Sequence, residues 1–521
     1  MTAAIDLELY RHRFAAIAEE MGEVLTRAAF SPNIKERRDH SCALFDEHGD
    51  MVAQAAHIPV HLGAAPLCVK AVIESLGVEP GRTAIVNDPF AGGTHLPDIT
   101  LVTAVDLGDG GPAWFVATRA HHADVGGITP GSLPPSRTID DEGWRTPPVW
   151  LDDAIVADLL ATSRTPDERR GDLAAQRAAN ALGARRLVEL VDRGGAPLIR
   201  QMGAALLAYT ERRMAAALAT WPAGAVTVED DLDDARGSGP HIPIRLTLTL
   251  DGAGRATFDL RASGDQVEGP MNAVRAITDS AVFYVLHLLA GADVPANSGV
   301  MRCVDVQTRP GSVVDAVAPA AVAAGNVETS QRLVDVLLQA FAAVQPDRIP
   351  ACSYGSMNNV LIGSVDGAAS PWVVYETHGG GHGAASDGAG ASAMQAHMTN
   401  TWNTPIEALE HAWPLRIERY AVRRGSGGAG HHAGGDGLVR VWRLLEPAVV
   451  TIIAERRRIP PPGAAGGEPG ATGQQWIERD GAREPRPGKF SERLDAGTVV
   501  GVETPGGGGW GTPVATPKGA C

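Results

Sequence analysis

The chain of 521 residues is 44% apolar and 20% charged, with a net charge of −16 at pH 7. That composition is ordinary for a soluble globular protein, and the length implies two to four domains or lobes at roughly 100–200 residues each. The acidity disfavours nucleic acid and anionic membrane surfaces as partners. Five cysteines, Cys42, Cys68, Cys303, Cys352 and Cys521, are scattered without a CxxC pair. They fit a reducing cytoplasm and neither a disulfide framework nor a thiolate zinc site. The start, MTAAIDLELYRHRF, lacks the order of a signal peptide, and no apolar run approaches the ~18 residues of a membrane span.

In chain order, Leu9 to Phe30 reads as an amphipathic helix, with Tyr10, Phe14, Ile17, Met21, Val24 and Ala28 at three- and four-residue steps. Residues 40–60 read as strand, turn, strand, and 66–78 as a short helix. TAIVND is a strand leading into the loop PFAGGTHLPD, and LVTAVDL with WFVATRAHHAD reads as a hairpin about Gly108–Pro112. Residues 151–223 form an Ala-rich helical block. From 224 to 370 strands such as IRLTLTLDG mix with two helices, ITDSAVFYVLHLLAG and TSQRLVDVLLQAFAAV. Residues 371–521 read as strands separated by glycine- and proline-rich loops, which hold a large share of the 61 glycines. The mixed order predicts an α+β architecture of several lobes: an α/β metal-binding part over 1–150, then these three regions.

Two clusters carry chemistry. His95 and Asp98 sit in THLPD, directly after a strand, and His121, His122 and Asp124 sit in AHHAD at the end of another. A hairpin brings both strand ends to one edge, placing imidazoles and carboxylates within reach of one ion. That donor set suits zinc, manganese or iron rather than calcium. In an extended strand His122 and Asp124 share a face and His121 points away, which favours His122 as the ligand. Asp124 is alternatively the carboxylate that orients an imidazole. Arg37-Arg38-Asp39-His40 reads as a surface charge run, and His57 and His61, split by Pro59, divide evenly between site lining and simple structure. ETHGGGHG, with Glu376, His378 and His382, and the later Asn400 could line a substrate pocket. GSGGAGHHAGG could cradle an anion through backbone amides. No P-loop and no GxSxG is present.

Taken together, SCALFD, HIPVHLG, NDPFAGGTHLPDIT, RAHHADVGG, GDLAAQRAAN, GNVETSQR, ETHGGGHG, MTNTWNTPIEALE and TPGGGGWGTP resemble the hydantoinase B / oxoprolinase family along nearly the whole chain. The resemblance implies the B-type subunit of an ATP-dependent cyclic amidase, acting on a hydantoin, oxoproline or another lactam. It implies a divalent metal, zinc first, held by Asp39, His95, Asp98 and one of His121 and His122, with Asp124 close by in a catalytic role. On this reading His122 is the ligand and His121 a catalytic neighbour. It also implies a hetero-oligomer with an A-type ATPase subunit that phosphorylates the ring carbonyl, because this sequence has no nucleotide-binding motif of its own. A ketone carboxylase subunit, a non-catalytic scaffold for the A subunit and an ATP-independent hydrolase are the alternatives.

Overall fold

The computed structural model describes residues 2–55, 58–61 and 63–513; His57 and Cys521 lie outside the described residues. Helix α1 (Thr2–Ala28) and one turn of helix, α2 (Pro32–Lys35), lead into β1 (His40–Phe45) and β2 (Met51–Gln54). Helix α3 (Ala64–Leu76), β3 (Thr83–Val86), the hairpin β4 (Asp98–Val105) and β5 (Trp114–His121), and short β6 (Val149–Trp150) follow. These strands make one antiparallel sheet in the order β2-β1-β5-β4-β3-β6.

Both faces of the central hairpin are covered, and every residue of β4 and β5 is buried. Strand alternation divides them. Trp114, Val116 and Ala120 face a core shared with α1 and with α5 (Pro166–Gly194) and α6 (Ala196–Leu218), the long helices of the 151–223 block that follow α4 (Asp153–Thr162). Phe115 and Ala117 face the larger core on the other side.

That larger core continues into a second sheet. Strands β7 (Gly224–Leu232), β8 (Ile242–Leu250) and β9 (Ala256–Asp259) are joined after α7 (Arg275–Ala290) by β10 (Val304–Gln307), in the order β10-β9-β8-β7 with β10 parallel to β9. In β8, Ile242, Ile244, Leu246, Leu248 and Leu250 alternate inward. Helix α8 (Ser330–Val344) packs across β7 and β8.

The rest is β-rich. A third sheet has the order β12-β11-β15-β18 and a fourth β13-β14-β19-β16-β17. They comprise β11 (Asn359–Ser364), β12 (Val373–Glu376), β13 (Leu415–Arg423), β14 (Gly437–Leu444), β15 (Ala448–Ile453), β16 (Gln474–Arg479), β17 (Ala482–Arg486), β18 (Lys489–Leu494) and β19 (Val499–Glu503), with α9 (Ile406–Ala412) before β13. The architecture is a mixed α+β one, in agreement with the sequence. Among the described residues no helix is long and apolar enough to cross a membrane.

The glycine segments spend their amides within the protein. Ser426 N and Gly427 N both donate to Asp436 Oδ1 at 2.9 Å, so the anion they hold is the chain's own carboxylate, and others are spent on carbonyls of neighbouring segments. Gly428 N donates to Gly507 O at 2.9 Å, Gly434 N to Gly428 O at 2.9 Å, and Gly435 N to His382 O at 2.8 Å. Glycine is required because the backbones approach too closely for side chains. A Cβ on Gly381 would overlap the carbonyl oxygen of Gly435. Replacing Gly381 with alanine is expected to cost about 3 kcal/mol or more, because backbone rather than a flexible side chain must move. Denaturant unfolding checks this; a midpoint equal to that of the unsubstituted chain would refute the packing argument.

Candidate metal centre

The β4–β5 register sets the site. Asp98, the first residue of β4, pairs directly with His121, the last of β5. His95 comes from the turn just before β4, where Asp98 N donates to His95 O at 3.1 Å. His95 Nε2 and His121 Nδ1 lie 3.1 and 3.2 Å from Asp98 Oδ1, and 3.2 Å from each other. Each of these three buried residues offers one ligand atom, all within 4.8 Å of one another.

Further residues complete the surroundings. His61 Nε2 is 3.3 Å from Asp98 Oδ2, while its Nδ1 is 2.9 Å from Ser41 Oγ. Thr94 Oγ1 donates to Asp98 Oδ2 at 2.7 Å. Asp39 immediately precedes β1, its carbonyl accepts from His121 N at 3.0 Å, and the residue lines the same small cavity as His61, Asp98, His121 and Asn326. That cavity holds about 20 Å3, room for about one water or one ion. Tyr375 stacks on His121 at 4.9 Å, and the Arg37 guanidinium lies over the Tyr375 ring at 4.5 Å.

The electrostatics follow from this crowding. Burial pushes the Asp98 carboxyl up, but the charges of His95 and His61 and hydrogen bonds from His121 and His61 outweigh it and hold it well below the usual carboxylate range. Burial pushes His95 down, yet the Asp98 charge and hydrogen bond raise it overall. Burial prevails at His121, which is lowered. An anionic carboxylate thus sits against His95 Nε2 and His121 Nδ1, and buried His121 Nε2 has no hydrogen-bond partner. Imidazole and carboxylate donors, an orphaned ring nitrogen and a one-ion cavity fit a divalent metal of the zinc, manganese or iron type. His95, Asp98 and His121 are the residues that would hold it, with Asp39 lining the cavity beside Asp98 and His121.

The structure separates the other sequence candidates from this point. His122 faces the helices rather than the cluster, because the residue pairing with Asp98 is His121 and the next side chain alternates to the opposite face. His122 Nε2 donates to Gln176 Oε1 of α5 at 2.9 Å. Asp124 does not reach the cluster either. Its carboxylate accepts from Gly126 N, Gly131 N, Arg164 N and Arg164 Nη1 at 2.9–3.1 Å, so it organises the loop after β5. Glu376 is spent on an ion pair with Arg440 at 2.8 Å and on Thr404 N at 2.8 Å. His378 is buried against Trp442, with ring centroids 5.1 Å apart, and burial with the nearby Arg440 charge drives it well below the usual imidazole range. His382 Nε2 donates to Gln395 O at 2.8 Å inside the glycine-rich packing. Asn400 is exposed, while its neighbours Thr399 and Thr401 line the cavity. The Arg37–His40 run is not a surface feature: Arg37 and Asp39 are both buried.

Sequence reasoning missed Asn326, Glu328 and Tyr375. They come from distant segments, and only GNVETSQR, a family-like motif, pointed towards the first two. Glu328 accepts from Asn359 Nδ2 at 2.7 Å, and Asn359 Oδ1 accepts from Tyr375 OH at 2.9 Å, a chain ending at the ring stacked on His121. Burial, reinforced by the Glu455 charge, raises Glu328 to about 8. Burial likewise raises Glu142 to about 7, while its Oε1 receives Val322 N, Ala323 N and Ser136 Oγ.

A six-stranded sheet carrying a buried two-histidine, one-carboxylate cluster on its hairpin defines a chain with the donor set of a metalloenzyme. Residues 3–513 match the model of the hydantoinase B/oxoprolinase family, and the chain belongs to that family. The sequence is 39% identical over 544 residues to 5-oxoprolinase 1 of Arabidopsis thaliana, covering 98% of this chain but 42% of that one. The chain therefore spans less than half the length of that relative. The crystal structure of ATP-dependent caprolactamase from Pseudomonas jessenii is similar, with a TM-score of 0.90 at 27% identity over 99% of this chain and 92% of that one. A nucleotide-free acetone carboxylase structure shares the fold, with a TM-score of 0.90 at 15% identity over 98% of this chain and 76% of that one.

Two predictions follow from the two faces of β5 and from the buried carboxyl. His121→Ala is expected to weaken binding of a divalent ion by about 100-fold or more, whereas His122→Ala keeps ion binding and lowers stability by about 1–3 kcal/mol. Chelator competition and denaturant unfolding of both variants check the pair. Glu328 is raised from 4.5 to about 8 on folding, so its favourable contribution is complete below the lower value and lost as pH rises through the upper one. Glu328→Gln should therefore gain stability relative to the unsubstituted chain as pH rises across that window. Thermal unfolding at several pH values measures the difference, and a pH-independent difference would contradict it.

Proposed function

We propose that this chain is the metal-dependent B subunit of an ATP-dependent cyclic amidase. It would hydrolyse the ring of a hydantoin, oxoproline or other lactam after a separate A-type ATPase subunit has phosphorylated the ring carbonyl. The observation that carries the reading is the buried His95–Asp98–His121 cluster in a chain of this family. The names of the similar proteins, 5-oxoprolinase and ATP-dependent caprolactamase, support a cyclic amide as substrate.

A divalent ion, zinc first with manganese or iron as alternatives, supplies Lewis acidity and a nucleophile near neutral pH. The chain's own residues supply the rest. Asp98, held anionic by His95 and His61, offsets the charge of the cation. The Ala323 carbonyl, 3.2 Å from His95 Nδ1, fixes that ring nitrogen as the protonated one and leaves Nε2 to face the cluster. Asp39 adds a second carboxylate lining the cavity, suited to ligation. The complex works as a hetero-oligomer in the cytoplasm on this reading.

The test is reconstitution with the A-type subunit, followed by ADP release in the presence of hydantoins, oxoproline, larger lactams and ketones. A cyclic amide should stimulate turnover without bicarbonate, and Asp98→Asn should reduce ring opening by about 1,000-fold or more. A bicarbonate requirement with a ketone would favour the carboxylase alternative. Unchanged turnover in Asp98→Asn would favour a scaffold.

A further inference from the structure

The cavity beside Asp39, Asp98 and His121 holds about 20 Å3, which is too small for a lactam ring. A substrate ring must therefore sit at the mouth of this cavity, with only its reacting carbonyl directed inward. Exposure marks where the mouth is. Among the residues that line the cavity, Asp39 at 7% and Thr401 at 5% are the most exposed. Their chain neighbours Arg38 and Trp402 are fully at the surface, Trp402 with 59% of its area exposed. The Arg38 guanidinium lies over the Trp402 ring at 4.7 Å.

Buried Arg37 holds this pair from behind. Trp402 N donates to Arg37 O at 3.2 Å, and Arg37 Nε donates back to Trp402 O at 3.3 Å. Arg37 Nη2 also donates to Thr377 Oγ1 and Thr401 Oγ1, at 3.2 and 3.3 Å. These bonds lock the segment before β1 to the segment before α9. Arg38 has a φ of 57°, in the left-handed region that residues with a Cβ seldom occupy. Strain of this kind persists only where the surroundings fix it, and it gathers at functional sites. The turn closes through His40 N donating to Arg38 O at 2.9 Å, and it leaves Arg38 exposed between buried Arg37 and Asp39.

Packing within the chain does not account for the pair. Among the described residues the Arg38 guanidinium makes no hydrogen bond and no ion pair; its one contact is the Trp402 ring. Stacking uses the face of the guanidinium and leaves the N–H fork at its edge open to a ligand. The exposed indole beside it offers apolar surface to a small ring.

We propose that Arg38, seated on Trp402, binds an oxyanion of the substrate at the cavity mouth and so selects and orients the ring. This rests on the metal-dependent cyclic amidase reading above. The oxyanion has two possible sources: a carboxylate carried by the ring, or the phosphoryl group added to its carbonyl. Both present oxygens to the planar fork in the same way. The guanidinium also offsets the field of Asp39 and Asp98, which would otherwise repel an anion from the entrance. Arg38 is thus a specificity residue that touches substrate and takes no part in holding the ion.

The experiment compares the unsubstituted chain, Arg38→Met and Arg38→Lys in three measurements. Mn2+ affinity is read by chelator competition on the chain alone, and association with the A-type subunit by size-exclusion chromatography. Ring-opened product per ADP released is then measured for the complex, with a neutral lactam and with a lactam bearing a ring carboxylate. Arg38→Met should keep ion affinity and association within about twofold, and lower product per ADP by about 10- to 100-fold, the loss of a charge-assisted bidentate contact. Arg38→Lys should recover part of that loss, because it keeps the charge without the fork. A larger loss on the carboxylated lactam assigns the oxyanion to the ring carboxylate; equal losses on both assign it to the phosphoryl group. Product per ADP within about threefold of the unsubstituted value on both lactams would overturn the inference. So would a tenfold loss of Mn2+ affinity, which would make Arg38 a support of the ion site, or a loss of association, which would make the pair a docking surface. If the unsubstituted complex opens neither ring, the amidase reading itself fails and takes this inference with it; turnover that ignores Arg38 leaves that reading standing.

Discussion

The buried carboxylate of Asp98 is the constraint on which the site depends. It is fully enclosed, and burial of an unpaired charge would cost several kcal/mol or force the group to neutralise. It remains ionised because three imidazoles, from His61, His95 and His121, surround it within 3.3 Å. Those imidazoles arrive from three different pieces of chain: the turn before β4, the end of β5 and the segment after β2. The hairpin register is what joins them, since Asp98 and His121 are a cross-strand pair. A one-residue slip would turn His121 towards the helices and bring His122 to the cluster. The large cores on both faces of the sheet make such a slip expensive, so the packing of α1, α5 and α6 on one side fixes the chemistry on the other.

Much of the fold was legible in the sequence, for physical reasons that differ by element. The β4–β5 hairpin announced itself through two apolar runs around a glycine-rich turn, and α1 through its three- and four-residue spacing. THLPD and AHHAD were legible as one cluster because a hairpin has only one way to bring its ends together. The choice between His121 and His122 was not legible. Alternation says that adjacent side chains oppose one another, but not which face holds the partner carboxylate; that depends on the register. Asp124 was misread for a related reason. A carboxylate beside glycines suits a site, yet it equally suits a loop whose amides need an acceptor, and Arg164, far along the chain, decides the matter. Arg37 looked like surface charge because its acceptors, the carbonyls of Tyr375 and Trp402, lie hundreds of residues away.

The C-terminal region shows a different limit. Its glycines suggested loops able to accept an anion or line a pocket. The same absence of side chains lets segments pack backbone to backbone, and there the amides are consumed by neighbouring carbonyls. What this region contributes to the site is support: Tyr375 stacks on His121, and its hydroxyl joins Asn359 and Glu328 to the ring. Glu328 and Asn326 share one π-helical turn, so the residue nearest His95 and the buried carboxyl behind Tyr375 are held by a single local distortion.

The central claim is that one divalent ion sits between His95, Asp98 and His121. Anomalous diffraction from crystals grown with Mn2+ or Zn2+ tests it most directly. The account predicts one strong peak within coordination distance of all three residues, with none beside His122. A peak at His122, or a loaded crystal with no peak at the cluster, would contradict it.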